Sequence, residues 1–222
     1  MFDEFLDDIK WDLLWEATIE TVYMAGISVA ATFILGIFLG LMLYLTNRGN
    51  MWENRFFNFI FAAIVNVFRS IPFIILIILL IPFTRSLFGS ILGPTAALPA
   101  LIIGAAPFYA RMVEIALREV DKGVVEAAYS MGASNLRIIW KVLLPESMPA
   151  LISGITVTSI SLISFTAMAG TIGAGGLGHL AFLEGFQRNN SAIMVVATIT
   201  ILILVFIIQA IGDVLTNKLD KR

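Results

Sequence analysis

Five apolar runs, near 19–45, 60–83, 94–117, 148–170 and 192–214, dominate this chain. About 20 mostly apolar residues suffice for a helix to cross the hydrocarbon core of a bilayer. Inside that core a spanning segment must satisfy its own backbone polar groups. Read as helices, the runs predict an all-α polytopic membrane protein with five transmembrane helices. The second run contains Pro72 and Pro82, and the third Pro94, Pro99 and Pro107. Membrane helices tolerate such breakers where neighbours re-satisfy the freed carbonyls.

An odd number of spans puts the termini on opposite faces, and the cationic residues choose between the two orientations. With the loop between the third and fourth runs placed inside, the inner segments hold Arg48, Arg55, Arg69, Arg111, Arg118, Lys122, Arg137, Lys141, Lys218, Lys221 and Arg222. The outer segments hold only Lys10, Arg85 and Arg188. Cytoplasmic loops carry the excess of Lys and Arg, so the N-terminus is expected outside and the C-terminus inside. The bilayer is thus the first partner; no nucleic-acid partner is expected.

Composition narrows the function. At 59% hydrophobic and 14% charged over 222 residues, the chain is too apolar for an ordinary soluble domain. The absence of cysteine excludes disulfides, thiol catalysis and cysteine metal sites, and a lone histidine, His179, excludes a histidine cluster. Paired mid-membrane carboxylates, or a serine with a base, are not visible, which argues against an intramembrane enzyme. A proton- or sodium-coupled carrier commonly places ionisable groups at mid-span; none is found there, so energy is expected from outside this chain. The first twenty residues carry seven acids against one Lys, the reverse of a signal peptide's basic n-region. Residues 1–18 read instead as an amphipathic helix on the outer surface, leading into the first span. No linker or soluble domain interrupts the chain, which is expected to form a single domain over residues 1–222.

Between the third and fourth runs lies a polar loop with a definite local design. Asp121 is a suitable N-cap, Val124, Val125, Ala128 and Tyr129 share one side of a short helix, and Gly132 suits the left-handed position that ends it. Asn135 can cap the next helix, which bends toward the bilayer at Pro145. Ala127 and Ala128 keep the first helix thin enough to enter a groove, and Glu126 offers a charge for an Arg or Lys. On the helix before the loop, Arg111, Glu114 and Arg118 fall at i, i+3 and i+7, within reach of mutual pairing.

The order Glu126-Ala127-Ala128, three residues, Gly132, nine residues, Val142-Leu143-Leu144-Pro145 closely resembles the EAA loop of ABC importer permeases, with Val142 where that pattern has Ile. Further blocks, Trp11–Thr21, Arg69–Phe73, Arg111–Asp121 and Ala167–Gly178, look like the methionine-importer permeases, a branch of the type I ABC importers. The resemblance implies a permease subunit in the bacterial plasma membrane that works as a homodimer. Its implied partners are two copies of a cytoplasmic ATPase and an external substrate-binding protein. ATP and Mg would bind the ATPase, leaving this chain with no cofactor of its own and no catalytic group. Glu126, Ala127, Ala128, Tyr129, Gly132, Leu144 and Pro145 would carry the coupling to the ATPase. A permease for another amino acid or small polar solute is the alternative within the class, and a non-transport scaffold the alternative outside it.

Three other features need a reading. Gly173, Gly175, Gly176 and Gly178 formally complete G-x-G-x-x-G, but a nucleotide site requires a βαβ unit around it. An outer turn whose backbone approaches another chain or a binding protein fits better. The pair Gly36 and Gly40 is either a packing face or ordinary membrane-helix glycine. In the fourth run, Thr156, Thr158, Ser159, Ser161, Ser164 and Thr166 suggest a helix facing protein or a solvated path. Met168 lies one turn beyond Ser164 among small neighbours. In a homodimer two such side chains could close a path along the axis, with Ser161 and Ser164 below them.

Overall fold

A computed structural model of the chain describes residues 10–219. All its regular elements are helical: α1 (Trp11–Thr46), α2 (Arg55–Ser70), α3 (Phe73–Leu79), α4 (Ile81–Phe88), α5 (Pro94–Arg118), α6 (Lys122–Ser130), α7 (Asn135–Ile138), a π turn (Ile139–Leu143), α8 (Leu144–Thr171), α9 (Gly176–Leu180), a π segment (Ala181–Gln187) and α10 (Ser191–Leu219). Among the described residues four helical stretches are long and apolar enough to cross a membrane, and a fifth is obtained if the bent pair α2–α3 counts as one span. The expected lead-in helix falls partly on residues 1–9, which lie outside the described residues. From Trp11 it runs without a break into the span, and the 36 residues of α1 reach about 54 Å at 1.5 Å per residue.

The second apolar run does not form one straight span: α2 and α3 are bent by 106°. The cause lies in the sequence. Pro72 clashes with a helical residue before it, and Ile71 accordingly takes φ −81° and ψ 122°, an extended conformation that stops α2.

The centre of the bundle is α5, which packs against α1, α2, α3, α4 and α8. Lipid is as apolar as leucine, so close packing rather than water exclusion must hold membrane helices together. The α1–α5 seam is built for it, with Ser28, Thr32, Gly36 and Gly40 buried at four-residue intervals. A Cβ on Gly36 would stand 2.5 Å from Tyr109 Cδ1, and one on Gly40 2.6 Å from the Ala110 carbonyl oxygen. The glycine pair is therefore a packing face within the protomer. Tyr109 is fully buried, stacks on Phe33 with ring centroids 5.9 Å apart, and donates its hydroxyl hydrogen to the Leu151 carbonyl at 3.1 Å. One side chain thus ties α1, α5 and α8.

Candidate functional site

The loop singled out in the sequence forms a helical hairpin whose caps are local. Asp121 Oδ1 accepts from the Gly123 amide at 2.6 Å and opens α6. At its other end Gly132 takes φ +76°, while Gly132 N–H donates to Tyr129 O at 2.8 Å and Ala133 N–H to Ala128 O at 3.1 Å. This is the double hydrogen-bond closure of a Schellman motif, which needs a left-handed residue between the two donors' helix and exit. Ser134, not Asn135, is the N-cap of α7; Asn135 instead accepts from the Tyr129 hydroxyl at 2.9 Å, pinning the two short helices together. Pro145 has no N–H to give Lys141 O, and the helix widens just before it, with Leu144 N–H reaching Ile139 O five residues back.

The hairpin has an inner and an outer side. Ala128 is buried with Leu117, Ile138, Leu143 and Leu144 in the protomer's own core, so it fixes the helix to the body. Leu144 acts in the same way. Glu126, Ala127 and Tyr129 face outward, and beside them Met131 is 82% exposed, Trp140 66% and Leu136 60%. Those three apolar side chains were not anticipated, although their position on a polar loop was visible in the sequence. At the hairpin's root Glu114 is buried, receiving Arg111 Nη1 and Arg118 Nη2 at 2.5 Å each.

Along α8 most of the hydroxyls serve their own helix. Thr156, Thr158, Ser159 and Thr166 are buried and donate to the carbonyls of Ile152, Gly154, Ile155 and Ile163 at 2.7–2.8 Å. Packing accounts for these four. A different face is open: Ser153, Val157, Ser164 and Met168 are exposed, with Ser161 half-buried in the same stripe. The Ser164 hydroxyl has no hydrogen-bond partner among the described residues.

This architecture matches known proteins over nearly its full length. The family model for the binding-protein-dependent transport system inner membrane component aligns with residues 12–222. The chain belongs to this family. A methionine import system permease protein of Bacillus subtilis (strain 168), MetP, is 63% identical over 222 residues, all of both chains. A probable D-methionine transport system permease protein, MetI, of Vibrio cholerae is 48% identical over 211 residues, 95% of this chain and 94% of the other. Among solved structures, an inward-facing conformation of the MetNI methionine ABC transporter aligns with a TM-score of 0.93 at 42% identity, covering 96% of this chain and 98% of that one.

Within this permease family fold, the glycine-rich turn is packed into the protomer itself. Its close approaches are to the protomer's own helices. A Cβ on Gly178 would lie 2.3 Å from Ala167 Cα, one on Gly170 2.4 Å from His179 N, and one on Gly176 2.7 Å from Thr21 Oγ1. Gly173, Gly175 and Gly176 have φ of +95°, +83° and +78°. The N-terminus of α9 is capped from α1: Glu20 Oε2 accepts from Gly176 N–H at 2.6 Å, and Thr21 Oγ1 from Leu177 N–H at 2.8 Å. His179 bonds through Nδ1 to the Gly170 carbonyl at 2.9 Å, and Gly93 N–H reaches Gly173 O at 2.9 Å. The turn is a hub joining α1, α5, α8 and α9. Glu20 and Thr21 escaped sequence reasoning because their partners lie 156 positions away. Nearby, Glu184 accepts from Lys10 Nζ at 3.0 Å and pairs with Arg188. The hydrogen bond from Lys10, followed by the charge of Arg188, holds the Glu184 carboxyl below the usual glutamate range.

Proposed function

We propose that this chain is the membrane-spanning permease subunit of an ATP-driven, binding-protein-dependent importer for methionine, working as a homodimer with two cytoplasmic ATPase subunits. The observation that carries the reading is the capped α6–α7 hairpin. It is rooted by buried Ala128 and Leu144 while Glu126, Ala127, Tyr129 and Met131 face outward. The 63% identity to a methionine import permease over the whole chain supports the substrate. In this mechanism each hairpin seats in a groove on one ATPase. ATP, held with Mg by the ATPase pair, closes that pair and draws the hairpins together. The α8 helices tilt with them, opening the path on the side where the external binding protein delivers its ligand. Hydrolysis reverses the movement. The α5–α8 clasp at Tyr109 and the α6 root transmit the displacement as a rigid lever, since packed cores shift as blocks.

The open α8 stripe is the element we assign to the path, with Met168 at its narrow point and Ser161 and Ser164 below. An unbranched thioether can swing aside at low cost. Met168→Ala is expected to assemble normally yet raise the ATP hydrolysed per substrate taken up; unchanged coupling would remove the gate. The orientation has the hairpin and C-terminus inside and the N-terminus outside.

Glu126→Lys tests the central claim. The variant should insert and melt like the wild type but bind the ATPase at least about tenfold more weakly, since truncating or reversing one member of an interfacial charge pair costs that much or more. Copurification with the ATPase and uptake of radiolabelled methionine read the two effects. A variant that copurifies and transports normally would sink the coupling assignment.

A further inference from the structure

Near the hairpin end of the bundle, α8 and α10 border a cavity of about 230 Å³ lined by Ser153 and Thr156 on one side and Gln209, Asp213, Thr216 and Asn217 on the other. The α10 residues are spaced by four, three and one, which sets them on one face of the helix. Around that face the helix turns Phe206, Ile207, Ile211 and Leu215 outward. Gly212 brings the two helices together, since a Cβ there would stand 2.2 Å from Thr156 Oγ1; the polar face opens beside this contact.

The hydrogen bonding of the cavity is half complete. Thr156 is satisfied within α8, donating to Ile152 O at 2.8 Å. Gln209 Nε2 donates to Asp213 Oδ1 at 2.7 Å and so holds the carboxylate in place. The other carboxylate oxygen, and the side chains of Ser153, Thr216 and Asn217, have no hydrogen-bond partner among the described residues. Polar side chains on membrane helices face protein or water-filled space rather than lipid. Ser153 also begins the open stripe that continues through Val157, Ser161 and Ser164 to Met168. The cavity is therefore the hairpin-side end of the proposed path.

The geometry points to a weak station in this cavity for the transported amino acid, its ammonium group on Asp213 and its carboxylate taking donors from Ser153, Thr216 and Asn217. This rests on the reading of the chain as a methionine permease. One fixed carboxylate opposite neutral donors matches a zwitterion, and none of the described residues lining the cavity is cationic, which keeps the hold weak. Weak holding is what release requires, because a tight site at the exit would stall the cycle.

The test uses the permease–ATPase complex in lipid nanodiscs without the external binding protein, titrated with L-methionine and followed by saturation-transfer NMR. The ATPase alone serves as the control. Binding by the complex beyond that of the ATPase is expected. Its affinity should fall about tenfold in Asp213→Asn, the usual consequence of losing one charge-assisted hydrogen bond, and should return in Asp213→Glu. The des-amino analogue 4-(methylthio)butanoate should not bind. Asn217→Asp, at another exposed position, should weaken binding by setting a second carboxylate against the ligand's own. No binding beyond the ATPase control, or equal binding by wild type, Asp213→Asn and Asn217→Asp, overturns the site. Uptake of radiolabelled methionine by the wild-type complex with its binding protein in proteoliposomes is measured alongside. Absent uptake sinks the methionine reading itself, whereas normal uptake with unchanged binding in the variants sinks only the station.

Discussion

At one end of the bundle Gly170, Gly176 and Gly178 are pressed against atoms of α1, α8 and α9, while at the other Gly132 has nothing within 4 Å of where its Cβ would be. The same residue type answers two physical demands: close approach in the hub, and backbone handedness alone in the hairpin. The hub's polar groups are met from elements far away in the chain, as with Glu20 on Gly176. The hairpin closes on itself through Asp121, Gly132 and the Tyr129–Asn135 bond, and turns its apolar side chains outward. One end is a joint packed within the protomer; the other closes on itself and leaves Met131, Leu136 and Trp140 exposed.

Gly178→Ala should separate the two ends most sharply. The new methyl would meet Ala167 backbone, which cannot rotate away, so a loss of about 3 kcal/mol is expected. Low yield and a depressed melting temperature of the purified protein would register it. A fully stable Gly178→Ala would break the account of the hub as a packed joint. Gly132→Ala should be milder, about 1 kcal/mol, since only the left-handed backbone penalty applies. Asn, which tolerates that conformation, should restore most of it. If Gly132→Ala instead melts as low as Gly178→Ala, Gly132 is not the sterically open turn described.

The smallest effect concerns pH at the hub's margin. The Glu184 carboxyl titrates below its ordinary value in the folded protein, against an unfolded value of about 4.3. Its contribution is therefore complete above that unfolded value and is lost as the pH falls through the depressed folded one. Melting temperature should drop across that acid window in the wild type, and Glu184→Gln should flatten the drop. An equal acid dependence in both would remove the Lys10–Glu184–Arg188 clasp from the account.

Legibility in the sequence tracked the distance between interacting residues. The hairpin could be read almost in full because its caps, its left-handed glycine and its proline act within a few positions of one another. The cap of α7 was misassigned, because Ser134 and Asn135 are both competent and the choice turned on where Tyr129 could reach. The five apolar runs were visible for the same reason, hydropathy being a local sum. Even the 106° bend has a local cause in Pro72, though its angle does not follow from that residue.

What the sequence determined by itself was a chain of membrane helices and a hairpin complete in its local chemistry. Tertiary structure alone decided that Ala128 faces inward, that the glycine-rich turn packs on α1 and α8, and that Asp213 and Ser153 border one cavity. Each of these depends on residues brought together from separate helices. In a bilayer such pairings are set by steric fit between whole helix faces, which no short window of sequence encodes.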